Sequence, residues 1–592
     1  MTTSKSKLTY FHFVSFTCFT LALGSALFFS HDLVKPRTDQ NITSISEVQG
    51  SGKISPLAGQ ALSLEGVVTG DFQRKEELKG FFIQDLKGDG DSKTSDGIFV
   101  YVLMGNKLSK TDVKIGQRVR VGGTIAEYRG QTQIEDITEI TVIDNEAGRN
   151  NQRTPIQPMT LKLPLAQGDD LENYEGMIVT FAGLLNVTGN YNLGGFGEIE
   201  LASGGRIFAP NNGDARSPKE NGRRMILLDD GSTKRNPQPT PYLDEINTRR
   251  VGDTVAGVTG VIAFSHDSYR VQPIEKPVFT RSNPRPEKLA LPDAGWKIAT
   301  FNVHNYFTTL KSEKKSARGA TTAEEFATQS AKVVTAIKAI DADIVGLMEI
   351  ENNGDKAIGD LVAKLNAAYG AEVYAFVPDP ETGVGDDMIK VAAIYKIAKI
   401  TRVGDSLSDS KDVYSRIPIA QTFQGKDGSK LTVVINHFKS KGSCPRTGDI
   451  DDGQGCWNDK RVLQAETLLQ FIKKLQVESG DADVLTIGDY NSYLEEDPIK
   501  TLVAGGLKNL SELMPAAQRY SHQFDAHSGL LDYAFATPSL RTQVVGATVW
   551  HINADEPETE SQNLATPYRS SDHDPVVVAL KLDKSATAVA LR

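Results

Sequence analysis

From Trp296 onward, apolar runs of strand length recur, and nearly every one begins or ends on an acid, an amide or an imidazole. The runs WKIATFNVHN, DIVGLMEI, KVAAIYK, LTVVINHF, DVLTIGDYN, LLDYAFAT and PVVVAL are interrupted by helix-like stretches such as EEFATQSAKVVTAIKAI. That rhythm predicts a layered α/β domain, because helices must cover the faces of sheets whose strands are apolar along their length. A single polar strand end means little: a lone Glu there is usually solvated, and a lone His usually has a structural hydrogen bond. Six strands that all present such groups are different, since active sites are built from strand termini that converge on one cleft. The set is Asn302, Glu349, His437, Asp489 with Asn491, Asp532, and Asp572 with His573.

Upstream, the stretch TRSNPRPEKLALPDAG at 280–295 holds three prolines and reads as a linker. Before it lie short alternating runs, LSLEGVVTG, GFFIQD, GIFVYV and QRVRVGGTI, separated by Gly and Asp. The pattern recurs in EGMIVTFAGLLNVTG and VGDTVAGVTGVIAFSHDSYRVQPI. Two related β-rich modules of OB-like, five-strand length are predicted, at 31–150 and 151–282. A linker at 283–295, an α/β domain at 296–582 and a tail at 583–592 complete the chain. OB-like folds often bind oligonucleotides, although fold alone is a weak argument for binding. Within the second module, 211–250 is a Pro- and Gly-rich insertion carrying Arg223, Arg224, Lys234, Arg235, Arg249 and Arg250. It reads either as a solvated loop or as a phosphate-contacting strip. Modules that only captured long substrates would, when removed, raise KM more than they lowered turnover on a short one.

Residues 1–30 carry Lys5 and Lys7, an apolar run from Leu8 to Phe29, and small residues Gly24 and Ala26 at its end. This predicts an export signal, cleaved or retained as an anchor, and a protein that is secreted, periplasmic or held at the cell surface. A membrane is a partner only if the segment is retained. Cys18 lies inside that segment, leaving Cys444 and Cys456 as an even pair in an oxidising compartment. A disulfide is expected, with two free thiols as the alternative. Between them, Asp449, Asp451 and Asp452 before Gly453 resemble the start of a calcium loop without its distal Glu. A solvated acidic turn is the plainer reading. A net charge of −10 argues against a protein whose affinity for nucleic acid comes from a basic face. It leaves room for an enzyme that must release a polyanionic product.

FNVHN, LMEIEN, NHFKS, GDYNS, LDYAFA and SDHDP, in that order over 296–582, resemble the motif series of the endonuclease/exonuclease/phosphatase superfamily, which includes pancreatic-type deoxyribonuclease. With its export signal, tandem modules and the loop KGSCPRTGDIDDGQGCWNDKR, the chain is similar more narrowly to secreted bacterial nucleases of the ExeM/NucH type. The resemblance implies a deoxyribonuclease-like four-layer α/β sandwich preceded by the two OB-like modules. It also implies a metal-dependent extracellular endonuclease that leaves 5′-phosphorylated products, with DNA as first substrate, RNA as second, and no stable protein partner. Hard oxygen ligands suit Mg²⁺ or Mn²⁺, with Ca²⁺ as a further candidate. Glu349 is the expected primary metal ligand, with Asn302 and Asp572 completing the shell. His573 is the expected general base, oriented by Asp532, while Asp489 and Asn491 hold the scissile phosphate or the attacking water, and the resemblance leaves open whether His573 or Asp489 takes the proton. His437 would face the leaving oxygen. Arg416 and Lys390 stand where relatives place phosphate contacts, against a plain surface-charge reading. A phosphatase or sphingomyelinase-like phosphodiesterase is the alternative within the superfamily, and no exposed aromatic hairpin for lipid insertion is evident. A non-catalytic surface protein that binds nucleic acid is the second alternative, and it would be expected to have lost one of the six motifs.

Overall fold

Ala61–Phe72 alternates over its first half, is buried on both faces from Gly66 to Gly70, and forms a twelve-residue strand with room to pair on both edges in the structure, a computed structural model. It pairs with Gly80–Gln84 on one side and with Arg118–Tyr128 on the other. Gly97–Tyr101 and Gln131–Val142 complete the ring, so strands one to five close in the order 1-2-3-5-4-1. The described residues are 42–103, 105–143, 155–213, 216–563 and 566–583. The predicted export segment, the module boundary at 150/151 and all but the first residue of the predicted tail lie outside them. Among the described residues, no helix is long and apolar enough to cross a membrane.

The second module repeats the pairing order with bent strands. Ile178–Ala182 and Leu184–Gly189 are two halves of one strand broken at Gly183, where φ is 85°. Its antiparallel partner breaks likewise, into Thr254–Ala256 and Thr259–Ser265, at Gly257 with φ 65°. With Ile199–Ser203, Met225–Leu228 and Ser268–Pro273 between them, these strands again close as 1-2-3-5-4-1. The two barrels touch through Phe72, Phe82, Phe99, Ile178, Val261 and Ala263. Their backbones meet at Gly97 and Gly176, where a Cβ on Gly97 would lie 2.2 Å from the Gly176 carbonyl carbon.

Downstream of the linker, two six-stranded sheets share one core. The first centres on Trp296–Tyr306 running parallel to Ile344–Glu351, and the second on Lys430–His437 running parallel to Val484–Asp489. Residues two apart on a strand share a face, so Val433, Ile435 and Ile487 line the space between the sheets. Gly346 lies opposite them: a Cβ there would come within 2.8 Å of Ile487 and 2.9 Å of Ile435. The helices Ala323–Ile340 and Lys356–Tyr369 cover the other face of the first sheet, packing Val333, Ile337, Leu361 and Leu365 against Phe301, Val345 and Leu347. The helix Asn458–Ser479 adds Leu468, Phe471, Ile472 and Leu475 to the core of the second sheet.

The basic insertion is solvated only in part: Lys234 and Arg235 are exposed, whereas three of its other cations are spent inside the fold, which corrects the expectation of one continuous phosphate-contacting strip. Arg224, Arg249 and Arg250 are buried. Arg224 donates to the Ser203 and Gly205 carbonyls, Arg249 is paired with Asp253 at 3.0 Å, and Arg250 is paired with Asp555 at 3.2 Å and with Glu556. Arg223 donates to the Leu165 carbonyl, and Lys234 faces Glu76. Sequence composition reports charge but not its partner, and Asp555 is some three hundred residues away.

Candidate active site

The stripe between the sheets changes from apolar to polar at one end. Two residues beyond Ile435 comes His437, and two beyond Ile487 comes Asp489, both on the same inward face. In register, His437 stands beside Asp489 and Asp489 beside Asp532, so three adjacent strands bring their polar ends to one level. Across from them, Asn302 projects from the first sheet and its amide Nδ2 donates to Asp489 at 3.2 Å and to Glu349 at 3.3 Å.

Glu349 follows Met348, an inward residue, and regular alternation would turn it toward the helices. A register break between Leu347 and Ile350 and a left-handed φ of 65° at Glu349 redirect it. His304 and Asn305, in the matching irregularity of the neighbouring strand, are also left-handed, and the Asn305 N–H donates to Glu349 Oε2 at 2.9 Å. Left-handed backbone at non-glycine residues costs energy and persists where surrounding contacts enforce it.

The loop before Val576–Leu580 supplies the remaining groups. His573 Nδ1 lies 2.7 Å from Asp532 Oδ2, while its Nε2 faces Asp489 at 4.0 Å. Ser571 Oγ donates to the Asn302 carbonyl at 2.7 Å, tying this loop to the first sheet, and lies 3.3 Å from Asp572. Asp572 faces His304 at 3.9 Å and His522 at 4.0 Å. Asp574 is structural: it is fully buried, accepts from the Asn553 and Ala554 N–H groups, and pairs with His551 at 3.0 Å. Asn491 donates to the Phe438 carbonyl at 3.2 Å, and its own N–H is held by Asp489 at 2.8 Å.

Burial and charge set the protonation pattern. Burial opposes a charge on His573, but Asp532, Asp572 and Asp489 outweigh it and hold the imidazolium pKa well above its usual value. Burial pushes the Asp489 carboxyl up to about 7, with Asp532 and Glu349 adding to the rise against the pull of His573. Burial, reinforced by Arg416 and His573, holds His437 well below the usual imidazole range. His522 is lowered to about 3 by burial and by His573. Burial raises Asp572, yet His304, His573 and His522 bring it below the usual carboxylate range.

Asn302, Glu349, His437, Asp489, Asn491, Asp532, Asp572 and His573 therefore gather at one end of the paired sheets. Arg416 joins their edge: it is buried, donates to the Phe438 carbonyl, faces Asp387 at 4.0 Å, and feels the charges of Asp489 and Glu349. Lys390 does not join them. It is buried, paired with Asp379 at 2.5 Å and bonded to the Gly354 carbonyl, so the expected phosphate contact is corrected to an internal ion pair. Sequence reading missed His304, Ser521 and His522. Ser521 Oγ donates to Asp532 Oδ2 at 2.7 Å, and the His522 ring lies 4.6 Å from that of His573. His304 sits at the register break of the strand Trp296–Tyr306, and Ser521 and His522 sit at the start of a three-residue strand, so periodicity reports neither, although a His directly before QFD was visible as an unexplained imidazole.

The residues fit a divalent cation. Acids outnumber cations here, and the buried Asp489 has its charged form disfavoured with no Lys or Arg hydrogen-bonded to it among the described residues. The oxygens of Glu349, Asn302 and Asp572 are hard donors. Acid and imidazole atoms of Asp489, Asp532 and His573 lie within 4.8 Å of one another, as do those of His522, Asp572 and His573. In the loop that follows the His437 strand, Cys444 and Cys456 are joined by a disulfide with Cα atoms 5.3 Å apart. The acids in that loop are used locally: Asp449 accepts from the Asp459 and Lys460 N–H groups at the start of a helix, and Asp451 from those of Gly453 and Gly455.

No curated protein matches the chain. Among solved structures, the human Nocturnin catalytic domain is 18% identical, with coverage of 50% of this chain and 97% of that one and a TM-score of 0.33. A Bacteroides thetaiotaomicron endonuclease/exonuclease/phosphatase family protein is 17% identical, covering 48% and 93%, with a TM-score of 0.32. A humanized D. rerio TDP2 is 14% identical, covering 48% and 97%, with a TM-score of 0.33. Residues 299–573 match the Endonuclease/Exonuclease/phosphatase family, and that stretch of the chain is a domain of this superfamily.

Proposed function

We propose that this domain hydrolyses phosphodiester bonds in nucleic acid, DNA first and RNA second, with a divalent metal, and that the protein works outside the cytoplasm behind its N-terminal export segment. The observation that carries the reading is the row His437, Asp489, Asp532 and His573 facing Asn302 and Glu349 across the end of the paired sheets. Family members are hydrolases, often metal-dependent phosphodiesterases, and the six strand-end motifs are all present.

Each group has a task that its surroundings suit. Asp532 fixes the His573 ring and keeps it protonated, so His573 offers an N–H and a positive charge to a phosphoryl oxygen. Asp489, titrating near neutrality, is the better acceptor for a proton from the attacking water. Of the two proton acceptors that the resemblance leaves open, this favours Asp489 over His573. His437 stays neutral and serves as a hydrogen-bond donor toward the leaving oxygen. Mg²⁺ or Mn²⁺, held by Glu349, Asn302 and Asp572, would cancel charge on the non-bridging oxygens. The two closed barrels, read as OB-like, would stand along the path of a longer strand.

Purified protein offered supercoiled plasmid, linear DNA, RNA and sphingomyelin, each with and without EDTA, tests the reading. Cleavage of nucleic acid that EDTA abolishes supports it. Hydrolysis of sphingomyelin alone would transfer the site to the phosphodiesterase alternative, and inactivity on all four would leave a binding protein.

A further inference from the structure

The residues that flank His573 are not held by the catalytic domain alone. Ser521, fully buried, bonds Asp532 and receives the Asp574 N–H on its carbonyl at 2.7 Å. Next in sequence, His522 begins a hairpin of two three-residue strands, His522–Phe524 and His527–Gly529, turned through Asp525 and Ala526 with φ of 47° and 59°. A two-stranded hairpin this short is marginal by itself.

The second barrel supports it from outside. The Ser528 N–H donates to the Ile207 carbonyl and the Ala209 N–H to the Ser528 carbonyl, each at 2.9 Å, so the barrel's 207–209 segment pairs with the hairpin edge. Thr188 Oγ1 donates to the Ala526 carbonyl at 2.8 Å, and the Gln523 amide to the Thr188 carbonyl at 2.9 Å. Asn212 accepts from the Leu530 N–H at 2.9 Å. Arg206 lies 4.0 Å from the Tyr520 ring centre, and its guanidinium donates to Ser528 Oγ at 2.8 Å and to Tyr520 Oη at 3.1 Å. It also meets Asp555 at 2.8 Å, and Asp555 in turn accepts from Tyr520 at 2.9 Å.

We propose that the second barrel is part of the scaffold of the active site. Arg206 is a positioning residue that acts through Tyr520 and Ser521 on the Asp532–His573 pair and, through the hairpin, sets His522 beside that pair. The inference rests on the reading of this cluster as a phosphodiesterase site. It replaces the expectation that the modules serve only to capture long substrates: loss of their grip should lower turnover on a substrate too short to reach them.

The test uses the full chain with Arg206→Ala, Arg206→Lys and the milder Thr188→Val. Turnover and KM are measured on a short oligonucleotide, and the histidine ring resonances are followed by NMR in protein labelled at its nine histidines. Arg206→Ala is expected to lower kcat by about 10-fold or more with KM changed by less than about 3-fold, as for a group acting only on the transition state. Arg206→Lys should recover part of the loss, and Thr188→Val should lower kcat by about 3-fold in the same sense. The His522 and His573 resonances should move in each variant in proportion to the loss. Should Arg206→Ala fail to fold, Thr188→Val carries the test alone. Unmoved His522 and His573 resonances, or an unchanged kcat in a folded variant, would overturn the proposal. If the parent protein cleaves no phosphodiester, the functional reading falls by itself, and the ring resonances still decide whether the barrel positions the histidines.

Discussion

The two barrels close in one strand order, yet they stand in different relations to the rest of the molecule. The first meets the second through apolar side chains, a glycine contact and hydrogen bonds such as the Ile178 N–H to Gln84 Oε1 at 3.0 Å and the Thr132 N–H to Glu175 Oε1 at 2.9 Å, with no ion pair between two buried side chains among the described residues. The second sends its longer connections, 204–224 and 229–253, against the α/β domain, where the half-buried Arg206 pairs with Asp555 and the buried Arg250 with Asp555 and Glu556. The difference lies in the loops: a barrel supplies a rigid frame, and connections between its strands decide what it grips.

The largest effect should fall on that grip. Arg250→Ala removes one partner from a buried ion cluster and is expected to cost about 3–5 kcal/mol, read as a lowered denaturation midpoint. A loss below about 1 kcal/mol would place the second barrel on the same footing as the first. Within the site, Glu349→Ala and His573→Ala should each reduce phosphodiesterase activity by at least about 100-fold with the fold retained, as for removal of a metal ligand or of a positioned imidazole. A chain lacking the first barrel should show the same losses. Near-normal activity in either variant would remove the catalytic assignment.

Cys456→Ser opens a short loop after the His437 strand and should cost roughly 2–3 kcal/mol at most by the chain-entropy account. Thiol titration of the denatured, unreduced protein should find no reactive Cys444 or Cys456. Two reactive thiols would contradict the bridge.

Acid separates the two regions by sign. Burial opposes the Asp555 charge, but Arg206 and Arg250 bring its carboxyl down to about 2, below the usual 3.8. Its contribution is therefore complete above about pH 4 and lost as pH falls toward 2, an effect of about 2 kcal/mol. In the first barrel, burial raises Asp85 to about 6, so its contribution is greatest below pH 4 and declines as pH rises toward 6. Hydrogen exchange at pH 3, 5 and 7 should show the interface loosening at the acid end and the Asp85 region at the neutral end. The same trend in both would refute the contrast. Smallest of all, Arg118→Ala breaks a surface pair with Glu65 at 2.6 Å, with half the Arg118 side chain exposed, and should change stability by less than about 1 kcal/mol.

The sequence alone determined the polar strand ends that form the candidate site and the repeated β-pattern. Asn302, His437, Asp489, Asp532 and His573 were legible because each interrupts or closes an apolar run, and burying a polar group there requires a partner. The barrels were legible because the short apolar runs set off by Gly and Asp recur, with EGMIVTFAGLLNVTG echoing LSLEGVVTG. Tertiary structure decided the rest. Lys390 and Arg250 look alike in sequence as cations near polar segments, but one is spent on Asp379 and the other on acids some three hundred residues away. Glu349 reaches the site through a left-handed bulge that no propensity reports. Ser521 and His522 lie in a segment whose position depends on pairing with residues 207–209 of another module. Periodicity records which face of its own element a residue occupies, whereas the partner of a charge and the path of a loop are set by contacts that close only when the whole chain has folded.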